Sequence, residues 1–192
     1  MFNAEKVENA VRSLLEAFGE DIDREGLKDT PRRVAGYWQE LLDGNQYTNE
    51  QIAGMFGKCF TVPTNPLVVK QVKDVYSHCE HHLALMYNMT VTVAYLPAKV
   101  SGGYKVIGLS KIPRIVNMCA KRLQLQERLA ADIAECISFA TGSNDVYVNI
   151  VADHACVSAR GAKSDGTTDV THLSGMLIGN STLRAEVERK VK

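Results

Sequence analysis

The sequence predicts an α+β fold in which an antiparallel sheet is backed by two helices and preceded by a helical N-terminal part. Apolar residues recur at helical spacing before Pro63. After it, segments rich in Val, Thr and Tyr have the character of strands, and the elements follow in the order strands, helices, strands (ββααββ). The connections are too short for repeated βαβ crossovers, which favours antiparallel pairing.

The N-terminal helices have recognisable ends. The first carries apolar residues three and four positions apart and stops at Gly19. Thr30 followed by Pro31 is typical of an N-cap and a first helical turn, so we expect a second helix there. Thr48 with Gln51 matches a capping box and predicts a third helix.

A break at Pro63 divides the chain into a helical part, residues 1-62, and a second domain, residues 63-192. Residues 67 to 76 and 89 to 96 of the second domain are predicted strands, the second of them bounded by turn-forming residues.

The second half of the chain predicts two helices and two more strands. One helix opens at Ser110, and the next ends at Gly142. Alternating residues predict a strand over 146 to 150, and we expect another from Cys156 to just before Gly161. The charged C-terminal segment predicts a short helix that either docks on the body or frays.

Composition excludes several classes of function. The 22 basic and 22 acidic residues cancel, so we expect neither nucleic acid nor a membrane surface as a partner. No segment is typical of a membrane span or a signal peptide, which predicts a cytoplasmic protein. The cysteine count is five, an odd number that favours reduced thiols or metal ligation over a disulfide framework.

Histidines and cysteines cluster in two short segments. Cys79 and His82 are three residues apart, a spacing that lets one turn of chain offer a thiolate and an imidazole to one ion. Cys156 is the natural third ligand if the strand ending near residue 155 lies beside residue 79. Because these segments supply no evident fourth ligand, an open, water-bearing zinc site of the catalytic kind is predicted.

Spacing alone leaves two other interpretations of this cluster open. Each cysteine could be a small buried apolar side chain, with the histidines as ordinary hydrogen-bonded residues. A closed structural zinc site is also compatible with the spacing, with His81, His154 or Cys59 as its fourth ligand.

The sequence resembles the GTP cyclohydrolase I family over nearly its whole length. The motifs that carry the resemblance are CEHH at 79–82, GLSK at 108–111, RIV at 114–116, QLQER at 124–128, HACVSARG at 154–161 and DTPRRV at 29–34. The resemblance implies a tunnelling fold, in which five subunits close a barrel and two rings form a homodecamer. It also implies the reaction: a zinc-bound water opens GTP at C8 of the guanine, formate is released, and 7,8-dihydroneopterin triphosphate is formed in the first step of tetrahydrofolate and pterin biosynthesis.

The same resemblance implies roles for individual residues. The ligands of Zn²⁺ would be Cys79, His82 and Cys156. The residues implied in catalysis are His81, His154 and Ser110. The residues implied in binding GTP are Gln126, Glu127, Lys111, Arg114, Arg160 and Arg33, the last from a neighbouring subunit. The extra histidine, His78, receives no role.

Elementary chemistry is compatible with these roles. Zinc lowers the pKa of bound water to about 7, and an imidazole exchanges protons in the same range. A carboxylate such as Glu127 can accept the N1–H and the 2-amino group of guanine together. Ser110 is expected to cap the helix that carries Lys111 and Arg114, where backbone N–H groups also favour a phosphate.

Two other functions are compatible with the motifs. A related tunnelling-fold enzyme such as a nitrile reductase would use a thiol nucleophile and a nicotinamide cofactor without zinc. A non-catalytic, zinc-stabilised assembly module would have four protein ligands and would not turn over GTP.

Overall fold

The computed structural model describes residues 2–191. The helices are α1 (Ala4–Ala17), α2 (Thr30–Leu41), α3 (Asn49–Phe56), α4 (Lys111–Ala120), α5 (Gln126–Thr141), α6 (Ala155–Ser158), α7 (Met176–Gly179) and α8 (Ser181–Lys190), with a 3-10 turn at Asp43–Gln46. The strands are β1 (Cys59–Val62), β2 (Val68–Cys79), β3 (Leu85–Tyr95), β4 (Ala98–Val100), β5 (Gly103–Ile107), β6 (Leu123–Gln124), β7 (Val146–His154) and β8 (Thr168–Leu173).

A five-stranded sheet in the order β6-β2-β3-β7-β8 forms the centre of the molecule. Its long strands pair antiparallel, and the two-residue β6 runs parallel to β2. A smaller antiparallel sheet in the order β1-β5-β4 lies beside it. The predicted α+β class, with an antiparallel sheet and a helical N-terminal part, is confirmed. None of the helices within residues 2–191 is long and apolar enough to span a membrane.

The two faces of the sheet are covered by different helices. Val91 and Val93 of β3 lie in the main core together with buried residues of α4 and α5. Because side chains alternate along a strand, Ala94 belongs to a second cluster, where it is buried with Leu177 and Val187 from the C-terminal helices. The C-terminal helix therefore docks on the body, as the first of the two predicted alternatives requires.

Several predicted helix ends are confirmed. Gly19 and Gly142 follow α1 and α5 with φ angles of +80° and +74°, a conformation that glycine adopts without strain. The Thr48 hydroxyl accepts a hydrogen bond from the Gln51 backbone N–H at 3.2 Å. The Gln51 side chain accepts from the Thr48 backbone N–H at 2.9 Å, which completes the capping box.

Two local predictions are wrong, and one is confirmed only in its position. Thr30 is the first residue of α2 rather than its cap, and Asp29 occupies the N-cap position. Ser110 occupies the predicted N-cap position of α4, but its backbone angles are helical and its hydroxyl makes no capping hydrogen bond. The segment from Cys156 forms the helical turn α6 because the Ala159 N–H donates to the Ala155 carbonyl at 3.0 Å. The next strand after β7 is β8, which begins at Thr168.

Arg122 joins the N-terminal part to the sheet domain. Its guanidinium donates to the carbonyl oxygens of Gly44 (3.2 Å) and Tyr47 (2.8 Å) and to Asn49 Oδ1 (2.7 Å). It also pairs with Asp132 Oδ2 of α5 at 2.9 Å, with side chains only 14% and 17% exposed. One mostly buried cation thus satisfies two backbone carbonyls of the helical part and a carboxylate of α5.

Replacing Arg122 with methionine is expected to lower the free energy of unfolding by about 3 kcal/mol, because Asp132 would keep a mostly buried charge without its partner. The midpoint of urea unfolding at fixed protein concentration measures this loss. Arg24→Met is the control, since Arg24 and Glu20 form an exposed pair whose loss should cost less than about 1 kcal/mol. Equal losses in the two variants would contradict a joining role for Arg122.

Candidate active site

Strand pairing brings the two predicted ligand segments together. Met86 of β3 lies opposite Ser77 of β2 on one side and opposite His154 of β7 on the other. The ends of β2 and β7 therefore lie close to each other across β3. Cys79 ends β2, and Cys156 lies in the helical turn that follows β7.

Cys79, His82 and Cys156 form a compact group of potential metal ligands. One ligand atom from each residue lies within 4.8 Å of the other two. Two thiols and an imidazole are the donors that zinc prefers, and sites with three protein ligands are typical of catalytic zinc. In the described part of the chain the group has three members, and His81, His154 and Cys59 do not belong to it. The donor set therefore fits an open zinc site.

The electrostatics of the group favour a cation. Burial raises the pKa of the Cys156 thiol, and the neighbouring Cys79 thiol raises it further by charge and by a hydrogen bond. The positive charge of Arg160 acts in the opposite direction. Two adjacent thiolates repel each other unless a positive charge lies between them, and a divalent ion provides it.

His78 supports the end of β2 instead of joining the metal group. It is only 3% exposed, and its Nε2 lies 2.7 Å from the hydroxyl of Tyr37 on α2. The ring also packs edge-to-face against Trp38, with centroids 4.8 Å apart. Burial lowers the pKa of His78, so the ring is neutral at pH 7. The extra histidine thus fastens α2 to the strand that carries Cys79.

A cavity of about 230 Å³ opens beside the metal group. Six of the residues implied by the family motifs are among those that line it: Cys79, His81, Gln126, Glu127, His154 and Cys156. The structure therefore brings together two metal ligands, both predicted proton-transfer histidines and both predicted guanine-binding residues. Lys111, Arg114, Arg33 and Ser110 are not among the lining residues.

Gln126 holds His154 in one orientation and one tautomer. The Gln126 side chain donates through Nε2 to the carbonyl oxygens of Ile150 (2.8 Å) and Thr168 (3.0 Å). Because a flipped amide would bring two pairs of oxygens together, Oε1 must face His154 Nε2, 2.6 Å away. That nitrogen therefore carries a hydrogen, and the lone pair of a neutral His154 is on Nδ1.

Glu127 lines the cavity and lies in the first turn of α5, where the helix dipole favours a negative charge. Its chain neighbour Arg128 is occupied elsewhere, with Nη2 2.5 Å from the Glu80 carboxylate and Nε 2.9 Å from Gln124 Oε1. The hydrogen bond from Arg128 lowers the pKa of Glu80. Among residues 2–191 Glu127 makes no ion pair, so an exposed Glu127–Arg128 charge pair is not formed.

The predicted phosphate-binding cations lie in three places. Lys111 begins α4, and Arg114 is exposed on its first turn. Arg33 is exposed on α2 and pairs with Asp29 at 3.5 Å. Arg160 follows α6 and donates through Nη1 to His82 Nε2 at 2.9 Å. Only Arg160 contacts a member of the metal group.

The sequence did not indicate which residues hold the site in place through hydrogen bonds around it. Gln124 donates to Asp132 Oδ2 at 2.9 Å and accepts from Arg128, so it links the Arg122 junction to the Glu80–Arg128 pair beside the site. No sequence pattern indicates the contact between Gln124 and Arg128, because Gln124 ends β6 and lies outside α5. Nothing in the sequence indicates that Arg128 would pair with Glu80 rather than with Glu127.

Comparison with known proteins agrees with this geometry. Residues 7–192 match the family model described as GTP cyclohydrolase I. The chain is 47% identical over 171 residues to GTP cyclohydrolase 1 of Clostridium botulinum (strain Kyoto / Type A2), covering 86% of this chain and 85% of the relative. It is 45% identical over 192 residues to GTP cyclohydrolase 1 of Clostridium beijerinckii, covering 96% of this chain and 94% of the relative.

Proposed function

The chain belongs to the GTP cyclohydrolase I family, and from this premise we propose how its own residues carry the reaction. The activity is that of a hydrolase: water opens GTP at C8 of the guanine, formate leaves, and 7,8-dihydroneopterin triphosphate is formed. One observation carries the assignment of the site, namely that the Cys79–His82–Cys156 group borders the cavity that contains Glu127 and His154.

Cys79, His82 and Cys156 are the residues that would hold zinc. Bound there, the ion supplies the Lewis acidity that makes water a competent nucleophile at neutral pH. Membership of the family sets aside the alternative of a nitrile reductase. The three-membered ligand group within residues 2–191 argues against a closed structural zinc module, which would need a fourth protein ligand.

Glu127 is the proposed receptor for guanine. Its carboxylate can accept the N1–H and the 2-amino hydrogen as two parallel charge-assisted hydrogen bonds. Adenine lacks this pair of donors, so the same carboxylate would select guanine. The binding also orients the base, because two hydrogen bonds define its plane and fix its rotation.

His154 and His81 are the proposed proton carriers. His154 Nε2 is committed to Gln126, so Nδ1 is the atom that can take a proton from the reacting water or return one to the opening ring. His81 lines the same cavity and is exposed, which leaves it free to exchange protons with solvent. Gln126 would then act as a positioning residue, although the family motif pairs it with Glu127 as a substrate ligand.

Gln126→Met tests this distinction. The variant keeps the length of the side chain but removes its hydrogen bonds, and the side chain is only 2% exposed. If Gln126 positions His154, kcat should fall about 10- to 100-fold while KM for GTP changes little. Steady-state kinetics with GTP measure both constants. A raised KM with unchanged kcat would instead indicate that the Gln126 side chain binds the base.

We further propose that neighbouring copies complete the site. Pockets for drug-sized ligands are about 300–1,000 Å³, so the cavity of about 230 Å³ is small for a whole nucleotide. None of the four predicted phosphate-binding cations lines it. Arg160 contacts His82 of the same chain, whereas Lys111, Arg114 and Arg33 would reach the triphosphate from other subunits. The edge position of β8 in the five-stranded sheet allows the sheet to continue from chain to chain. The assembly proposed is a decamer of two pentameric rings.

Two further proposals concern the division of the chain into two parts and its location in the cell. Residues 1-62 act as a helical part joined to the catalytic domain, residues 63-192, by the Arg122 contacts. The enzyme works in the cytoplasm, where the five cysteines stay reduced, in agreement with the five free thiols in the described structure.

The activity is tested by incubating purified protein with GTP and zinc. The expected products are formate, measured enzymatically, and a dihydropterin that becomes fluorescent after oxidation. Analytical ultracentrifugation of the same sample tests the decamer. Zinc-replete protein that releases neither formate nor a pterin would overturn the proposal for the site.

A further inference from the structure

Arg128 connects the segment that carries two metal ligands to the helix that carries Glu127. Its Nη2 donates to Glu80 Oε2 at 2.5 Å and to the Leu123 carbonyl oxygen at 2.7 Å, and its Nε donates to Gln124 Oε1 at 2.9 Å. Arg128 itself lies in the first turn of α5, directly after Glu127. One guanidinium therefore contacts the metal-ligand segment and the strand that leads into α5.

Residues 79–84, here called the metal loop, carry two of the three potential metal ligands. The loop is closed within itself by a hydrogen bond from the Leu83 N–H to the Cys79 carbonyl oxygen at 2.9 Å. Residues 81–83 are exposed, so packing does not hold the tip of the loop. In the described part of the chain, the metal loop makes one ion pair, which is the pair with Arg128.

Both the backbone and the side chain of Glu80 attach the metal loop to the segment before Glu127. The Glu80 N–H donates to the Gln124 carbonyl oxygen at 3.1 Å, and the Glu80 carboxylate accepts from Arg128. The paired side chains of Arg128 and Glu80 are 44% and 33% exposed, and ion pairs of this kind contribute little to folding stability. A guanidinium nevertheless holds its donors in a rigid fork, so the pair constrains geometry more than it stabilises the fold.

The proposed reaction depends on this geometry. The attacking water at the metal group has to meet C8 of a guanine that is held by Glu127, and reacting atoms must approach to about 3–3.5 Å. A misplacement of about 1 Å can lower the rate about 100-fold. The position of the metal loop against the start of α5 sets this separation.

We propose that Arg128 is a positioning residue, whose contact with Glu80 sets the distance between the metal loop and the guanine that Glu127 receives. The inference rests on the proposed function, because this distance matters only if guanine binds at Glu127. Arg128 does not line the cavity and does not belong to the metal group, so its effect must pass through Glu80.

A double-mutant cycle on turnover tests whether Arg128 and Glu80 act through each other. Arg128→Met and Glu80→Met should each lower kcat about 10- to 100-fold, with KM for GTP within about twofold of wild type. Because both substitutions break the same contact, the double variant should be no slower than the slower single variant. Losses that multiply in the double variant, or single variants with wild-type kcat, would overturn the proposal.

Arg128→Lys separates the charge from the geometry. Lysine keeps the positive charge but lacks the planar fork, so kcat should stay well below that of wild type while the urea midpoint is unchanged. Arg24→Lys is the matched control, because Arg24 also donates through two guanidinium nitrogens to an exposed glutamate, Glu20, and does not line the cavity. Its kcat should equal that of wild type. Wild-type kcat in Arg128→Lys would show that the charge suffices and would contradict the positioning role.

The distance itself is measured with 7-deaza-GTP, which keeps the guanine donors and the C8 hydrogen but has carbon in place of N7 and so resists opening. Co²⁺ loaded in place of zinc speeds the NMR relaxation of that hydrogen, and the effect falls with the sixth power of the distance. Arg128→Met should bind Co²⁺ and the analogue as wild type does, but its relaxation enhancement should be about two- to fourfold smaller, as a lengthening of ~1 Å would give.

The outcomes of this measurement separate the inference from the proposed function. Equal enhancement in wild type and Arg128→Met would overturn the positioning role and leave the proposed function standing. No enhancement in cobalt-loaded wild type that binds the analogue would show that guanine does not lie beside the metal group. That result would overturn the proposed function, and this inference with it.

Discussion

Cys156→Ala is expected to lose stoichiometric zinc binding and to lower kcat/KM for GTP by more than about 100-fold. Replacing residues that merely support a metal ligand costs 10- to 100-fold, so loss of a ligand should cost more. With Cys156 removed, Cys79 and His82 form a two-membered group, which is too few for a stable zinc site. Metal analysis of dialysed protein and formate release measure the two effects.

Cys59→Ala is the matched control for this variant. Cys59 and Cys156 are both half-buried free thiols, but Cys59 donates to the Ala140 carbonyl at 3.3 Å and lies outside the metal group. The control should keep one zinc per chain and most of its activity. If Cys156→Ala also keeps one zinc per chain, the assignment of the metal ligands is wrong.

Glu127→Gln is expected to lower kcat/KM for GTP by about 10²- to 10⁴-fold. Each hydrogen bond to a charged group contributes about 1.5–3 kcal/mol, and the amide can accept only one of the two guanine donors while turning an N–H toward the other. Steady-state kinetics with GTP and with ITP, which lacks the 2-amino group, measure the loss. Wild type should prefer GTP strongly, and Glu127→Gln should lose most of that preference.

Glu50→Gln is the control variant, because it also removes a carboxylate from the first turn of a helix. Glu50 and Glu127 each lie in the first turn of a helix, but Glu50 is an exposed residue of α3 and does not line the cavity. Its activity and its preference for GTP should equal those of wild type. A Glu127→Gln enzyme that still discriminates between GTP and ITP as wild type does would show that another group recognises the base.

Local patterns predicted most of the fold because they depend on neighbours in sequence. The capping box at Thr48 and the glycine stops at Gly19 and Gly142 are decided by backbone geometry within one turn. Hydrophobic periodicity located α4 and α5, whose buried residues recur on one face. Strand boundaries that depend on tertiary contacts were harder to predict. The observed β2 extends to Cys79 and β3 begins at Leu85, beyond the predicted segments 67 to 76 and 89 to 96.

The wrong predictions share a physical cause. The segment after His154 was predicted as a strand, but β7 ends there, and one turn of helix carries Cys156 to within reach of Cys79. Ser110 occupies the predicted N-cap position of α4, yet its backbone is already helical and the expected capping hydrogen bond is not made. In both places, a propensity of the residue type was overridden by the geometry of the chain around it.

The sequence by itself predicted the family and, through the family motifs, the residues expected to hold zinc and substrate, because motif spacing is contained in the order of residues. Only the tertiary structure decided which of these groups meet. Pairing of β2 and β7 on either side of β3 brought Cys79 and Cys156 together, and Gln126 was found holding His154. Arg160 was found on His82, a contact across 78 positions of the chain. Such contacts depend on long-range packing, which no local pattern contains.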